Sequence, residues 1–137
     1  MPKGYLAIVL HAHLPFVRHP EFEDFLEEDW LFEAITETYI PLIKVLQGLE
    51  RDGVGYKLTI SLSPTLMAML MDGHLQDKYV KHLNKLIELS EKEIERTKWQ
   101  PDFKNLAQMY FDRFSHARDT FQKYNSNLVA AFKKFQD

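Results

Sequence analysis

Two histidines separated by one residue are the side chains of this chain best suited to chemistry. His11 and His13 end an apolar run that starts at Tyr5, and such a run is typical of a strand buried on both faces in a parallel sheet. Because side chains alternate along a strand, both imidazoles point to the same face. Pro15 has no amide hydrogen to donate to a sheet, so the strand is expected to end near His13.

Three kinds of chemistry fit this pair. Neutral imidazoles ligate metals such as zinc, they hydrogen-bond the hydroxyls of a sugar or polyol, and they transfer protons near neutral pH. A single histidine at a strand end is commonly structural, whereas two at i and i+2 favour a polar site. The carboxyl ends of parallel strands are where α/β proteins bind ligands. The spacing alone does not choose among the three.

Composition excludes several classes of protein. The chain has 137 residues, of which 45% are hydrophobic and 27% charged, with a net charge of −3. This describes one globular domain or a piece of a larger one. The mixed charges argue against a nucleic-acid or anionic-membrane surface. The absence of cysteine excludes disulfides and thiolate metal sites, and the first apolar run is too short to span a bilayer. We therefore expect a cytoplasmic protein.

The first half of the chain reads as a β-α-β unit over residues 4–73. An apolar stripe predicts a helix from Asp29, its N-cap, to Glu50, with a kink or two helices meeting at Pro41. The acidic residues 21–29 are expected to form a solvated face. Strict alternation over Tyr56–Leu62 predicts a second strand, parallel to the first. Its polar face would then lie beside the histidines.

The second half reads as a helical hairpin over residues 74–137. Before it, Ser63-Pro64 begins a short helix that Asp72-Gly73 is expected to close. Two heptad-like apolar seams follow, at roughly 75–98 and 102–135, and Trp99–Pro101 separates them. The aromatic residues of the second seam are expected to pack rather than to bind a ligand. The remaining histidines of this half lack the spacing of a helical metal site.

Two parallel strands do not make a stable covered sheet, since each outer edge exposes unpaired backbone groups. The chain also reaches Asp137 without a glycine cap or a change of pattern. The sequence therefore predicts an α/β fold that is the opening portion of a larger barrel.

Three segments carry a resemblance to a known family. The segments His11–Val17, Glu27–Pro41 and Lys57–Leu66 closely resemble the amino-terminal part of glycoside hydrolase family 57. Within this family, the similar branch contains the 1,4-α-glucan branching enzymes and α-amylases. The resemblance covers essentially the whole chain, so residues 1–137 are expected to form the amino-terminal part of one catalytic barrel.

The resemblance implies an incomplete seven-stranded (β/α) barrel and a retaining mechanism with a glutamate nucleophile and an aspartate acid/base. By position, His11 and His13 correspond to histidines that bind the sugar at the cleavage point, and Trp30 and Glu33 to further substrate contacts. Neither catalytic motif matches this chain, so both carboxylates are expected beyond Asp137 and the 137 residues alone are expected to be inactive. The implied partners are an α-glucan (amylose, glycogen or a maltooligosaccharide) and the remainder of the barrel, with no cofactor and no metal.

Two alternatives remain open at this point. His-x-His at the end of a first barrel strand also begins the zinc site of metal-dependent hydrolases, which need further ligands on later strands. The hairpin of residues 75–135 could instead be a non-enzymatic interaction module.

Overall fold

The computed structural model describes residues 3–136, which form a mixed α/β structure of two parallel strands and six α-helices. In chain order the elements are β1 (Val9–Ala12), α1 (Leu26–Ala34), a π-helical segment (Ile35–Tyr39), α2 (Ile40–Arg51), β2 (Thr59–Leu62), α3 (Pro64–Leu70), α4 (Gly73–Arg96), α5 (Pro101–Lys123) and α6 (Leu128–Lys133). The outermost positions of the expected domain 1–137, Met1, Pro2 and Asp137, lie outside the described residues. None of the described helices is both long and apolar enough to cross a membrane.

The two strands pair in parallel, as the β-α-β pattern predicted. Val9 lies opposite Thr59 and His11 opposite Ser61, and the ordered pairing covers only four residues of each strand. The prediction that the first strand is buried on both faces was wrong for this chain, because Tyr5 is 94% and Val9 67% exposed. A buried strand needs a layer on each face, and residues 3–136 do not supply both.

The first helical region begins earlier than predicted and changes its winding before Pro41. α1 starts at Leu26, and Phe25 precedes it without a side-chain cap, so Asp29 is not the N-cap. In the π-helical segment, the Ile40 N–H donates to the Ile35 carbonyl, five residues back. This wider turn places Pro41 near the start of α2, where its missing N–H and its ring are tolerated. The expected meeting of two helical segments at this proline is confirmed.

The junction between α3 and α4 confirms one cap and corrects another. The Ser63 hydroxyl accepts a hydrogen bond from the Leu66 N–H at 3.3 Å, as predicted. Asp72 does not close α3 but begins α4, where its carboxylate accepts from the Leu75 N–H at 3.0 Å. Burial alone would raise the pKa of Asp72, but this bond and the 2.7 Å ion pair with Arg18 outweigh burial and hold the pKa below its ordinary value.

Helices α4 and α5 form the predicted hairpin. They run antiparallel, because Tyr79 near the start of α4 contacts Phe121 near the end of α5. The second helix was predicted to continue to Phe135, and this was wrong. Asn125 and Ser126 adopt φ of 51° and 61°, a left-handed conformation that ends a helix. The Asn127 side chain then accepts from the Ala130 N–H at 2.9 Å and caps α6.

One core joins the two halves of the chain. Tyr79 is completely buried, its ring lies 4.9 Å from that of Phe121 at 81°, and its hydroxyl is 2.9 Å from Thr36 Oγ1. Burial raises the pKa of Tyr79, so the phenol remains neutral. The same cluster includes members from α1 to α6: Leu31, Ile35, Ile43, Leu66, Met69, Leu83, Phe121 and Leu128. The hairpin is therefore packed against the β-α-β unit.

Candidate functional site

The two imidazoles lie side by side at the carboxyl end of β1. His11 is in the strand and His13 follows it directly. The ring centroids are 6.0 Å apart and the ring planes differ by 12°. Both residues are exposed. The prediction that they share one face is confirmed, and both rings are accessible to a ligand.

Alternation along the strands explains why the histidines face outward. Ala12 and Leu62 are partly buried and pack against the hydrophobic core. Because neighbours along a strand point to opposite faces, anchoring Ala12 in the core directs His11 and His13 away from it. The apolar residues of the strands therefore position the polar ones.

Ser61 completes this group of polar side chains. It lies opposite His11 in the parallel register, and its Oγ is 3.1 Å from Nδ1 of His11. We call His11, His13 and Ser61 the histidine face. The sequence placed Ser61 on the polar face of the second strand but did not single it out, since its contact depends on the pairing of the two strands.

The loop that follows the histidines is fixed to the helices by several contacts. The Val17 N–H points to the sulfur of Met69 at 3.3 Å, and Arg18 pairs with Asp72. Further along, the carboxylate of Asp24 pairs with the ammonium of Lys85 on α4 at 2.9 Å. The loop therefore has a defined path over α3 and α4.

Glu28 and Lys78 form a buried polar centre that sequence reasoning missed. Only 1% of the Glu28 side chain and 9% of the Lys78 side chain are exposed, so the expectation of a solvated acidic face was wrong for Glu28. Lys78 Nζ also donates to the carbonyls of Phe22 at 2.6 Å and His19 at 3.1 Å. The second oxygen of Glu28 accepts from the His19 N–H at 2.9 Å. The Glu28–Lys78 pair thus provides hydrogen bonds to backbone groups of His19 and Phe22 and holds this part of the loop in place.

Trp30 and Glu33 lie on α1 rather than on the strands that carry the histidine face. Trp30 is 48% exposed on α1, and Glu33 is exposed on the following turn of the same helix. Within residues 3–136, no ring contact or hydrogen bond joins either side chain to His11 or His13. The charge of Glu33 instead acts on His82 on α4, where it is one of the carboxylates that favour the protonated imidazole and so raise its pKa.

His82 is expected to make the stability of the protein depend on pH. Burial lowers the pKa of His82 below 6.5, although the nearby charge of Asp29 opposes this. Below about pH 6.5, His82 is therefore protonated more readily in the unfolded chain than in the folded chain. The free energy of unfolding consequently falls as the pH decreases towards the pKa of His82 in the folded chain. We expect urea midpoints to fall between pH 7.5 and 5.5, and to fall less in His82→Gln. Equal slopes in both proteins would contradict this assignment.

The contacts of the histidine face define what it can do chemically. It offers imidazole nitrogens and a hydroxyl, which are hydrogen-bonding partners for a hydroxyl-rich ligand. In the part of the chain that the structure describes, no carboxylate forms an ion pair with His11 or His13. No group of three or more potential metal ligands occurs among these residues either.

Parallel strands with exposed polar side chains at their carboxyl ends are typical of ligand-binding α/β domains. Residues 7–137 match the sequence profile of glycosyl hydrolase family 57, and the chain belongs to this family. It is 32% identical to the 1,4-α-glucan branching enzyme of Thermococcus kodakarensis over 135 residues, 98% of this chain and 19% of that protein.

Solved structures show the same relationship. An α-amylase from Thermotoga maritima is 49% identical with a TM-score of 0.89, covering 95% of this chain and 24% of that one. A branching enzyme from Pyrococcus horikoshii is 33% identical with a TM-score of 0.90, covering 99% and 25%. The Thermococcus enzyme, solved in complex with glucose, superposes with a TM-score of 0.88 at 29% identity. The chain thus spans a quarter or less of the length of these relatives.

Proposed function

We propose that this chain forms the opening portion of the incomplete seven-stranded (β/α) barrel of an enzyme that acts on α-1,4-glucans, and that His11 and His13 bind the sugar. The observation that carries the proposal is the histidine face, two accessible imidazoles at the carboxyl end of a parallel strand pair in a chain of this family. The relatives are described as branching enzymes and an α-amylase.

In this proposal the imidazoles hydrogen-bond the hydroxyls of one glucose unit and fix its orientation for reaction. A retaining mechanism also requires two carboxyl groups about 5 Å apart, one as nucleophile and one as acid/base. We assign neither role to a described residue, and propose that segments equivalent to the rest of the relatives supply both carboxylates. The β-α-β unit (4–73) and the hairpin (74–137) would then be parts of one catalytic domain in a cytoplasmic enzyme.

Trp30 and Glu33 are proposed as outer substrate contacts. Nearly half of Trp30 is exposed, so its indole offers an apolar surface on which a sugar ring can stack. Glu33 would accept hydrogen bonds from sugar hydroxyls.

Family membership favours the glucan-active enzyme over a zinc hydrolase and over a separate hairpin module, because the matched region includes both the strands and the hairpin.

The proposal is tested by titrating maltohexaose into the isotopically labelled chain and following the histidine ring signals by NMR. We expect the signals of His11 and His13 to shift with the sugar concentration, and cellohexaose, its β-linked counterpart, to shift them less. His11→Ala should weaken binding, whereas His74→Ala, an exposed histidine on α4, serves as the matched control. Equal binding by both variants would overturn the proposal.

A further inference from the structure

We propose that Ser61 is a positioning residue for His11, holding its imidazole so that Nε2 faces the ligand. The inference rests on the proposed function and deepens it, since it explains how an exposed ring on a strand obtains a fixed orientation. Its direct support is the hydrogen bond between Ser61 Oγ and His11 Nδ1.

Strand pairing brings the two side chains together. Directly paired residues of adjacent strands project to the same face, and Ser61 is paired with His11. The 3.1 Å distance between Oγ and Nδ1 is within the hydrogen-bonding range. The hydroxyl can either donate to Nδ1 or accept from it, so the contact serves either neutral tautomer.

The bond selects between two orientations of the ring. A half-turn about the Cβ–Cγ bond exchanges Nδ1 with Cδ2, and the carbon edge cannot hydrogen-bond the hydroxyl. With Nδ1 facing Ser61, Nε2 has no protein partner among residues 3–136 and is free to meet a sugar hydroxyl. One neutral hydrogen bond favours the observed orientation by about fivefold.

Ser61 acts on His11 specifically. The ring of His13 lies nearly parallel to that of His11, with the centroids 6.0 Å apart, and this arrangement does not distinguish the two edges of either ring. Thr59 lies on the same face as Ser61, two residues earlier, and it is paired with Val9 rather than with a histidine. Thr59 therefore provides a matched control from the same strand.

The ring orientation is measured by NMR on the full labelled chain without sugar. The Nδ1 edge carries the neighbouring Hε1, so protons at position 61 should show nuclear Overhauser contacts to Hε1 of His11 rather than to Hδ2. In Ser61→Ala we expect these contacts to divide between Hε1 and Hδ2, because the ring turns over freely. Ser61→Thr, which keeps the hydroxyl, should restore the original pattern, and Thr59→Ala should not change it.

A maltohexaose titration of the same variants separates this inference from the proposed function. We expect Ser61→Ala to bind about 1.7-fold more weakly than the original chain, because the share of His11 rings with Nε2 facing the ligand falls from about five-sixths to about one-half. Ser61→Thr should bind as the original does. An unchanged ring pattern in Ser61→Ala, or failure of Ser61→Thr to restore it, would overturn the inference even if sugar still binds. If the ring responds as expected but no variant binds the sugar, the proposed function fails while the orientation of His11 by Ser61 stands.

Discussion

Replacement of Lys78 by methionine is expected to lower the free energy of unfolding by about 3–5 kcal/mol, the usual cost of removing one partner of a buried ion pair. The ammonium donates to Glu28 and to the carbonyls of His19 and Phe22. Methionine has a similar length and fills the space, so the loss measures the polar contacts rather than a cavity. Urea unfolding followed by circular dichroism provides the measurement.

Lys85 provides the matched control. It also joins α4 to the loop, through Asp24 at 2.9 Å, but both side chains are largely exposed. Exposed ion pairs contribute little to stability, because water screens them. Lys85→Met should therefore shift the urea midpoint far less than Lys78→Met, and equal shifts would show that burial of the Glu28–Lys78 pair has no energetic consequence.

The double variant Glu28→Gln/Lys78→Met tests the physical cause. It removes both charges, so no uncompensated carboxylate remains in the interior, and it should be more stable than Lys78→Met alone. If the losses of the two single variants simply add, the two groups act independently. The expected non-additivity would identify the pair as one unit that fixes the loop following His13.

The second large effect is expected on activity. In a chimera, this chain replaces the matching segment of the Thermotoga maritima α-amylase, to which it is 49% identical. We expect the chimera to hydrolyse amylose. If the histidines bind the sugar as proposed, His11→Ala or His13→Ala should lower its kcat/KM by about 10–100-fold, because each would remove hydrogen bonds that stabilise the transition state.

The thermal stability of the same chimeras separates binding from packing. Both imidazoles are exposed and point away from the core, so neither substitution should change Tm by more than His74→Ala does. Parallel losses of Tm and activity would assign the histidines a structural role. A fully active His11→Ala/His13→Ala chimera would exclude them from the sugar site.

Local patterns in the sequence were sufficient for several features. The two-residue period of a strand placed His11 and His13 on one face, as their stacked rings confirm. Ser63-Pro64 began a helix because a hydroxyl cap and a proline suit the first turn. The heptad-like seams and the break at Trp99–Pro101 predicted the hairpin, and the three motif segments pointed to the family. All of these signals lie within a few residues of one another.

Other features were decided by contacts between distant residues. Glu28 belongs to an acidic run whose composition is typical of a solvent-exposed surface. Its burial depends on Lys78, 50 residues later in the chain, whose ammonium balances the charge of the carboxylate. Asn125 and Ser126 end α5 within an unbroken apolar seam, because α6 packs back on the core through Leu128 and Ala131.

By itself, the sequence determined the family, the two parallel strands followed by a helical hairpin, and the shared face of the two histidines, because these depend on short-range periodicity and motif. Tertiary structure alone decided that β1 and β2 pair over only four residues and that Ser61 meets His11 across them. The physical reason is that strand register is set by side-chain packing and backbone hydrogen bonds between segments 50 residues apart, which no local pattern specifies.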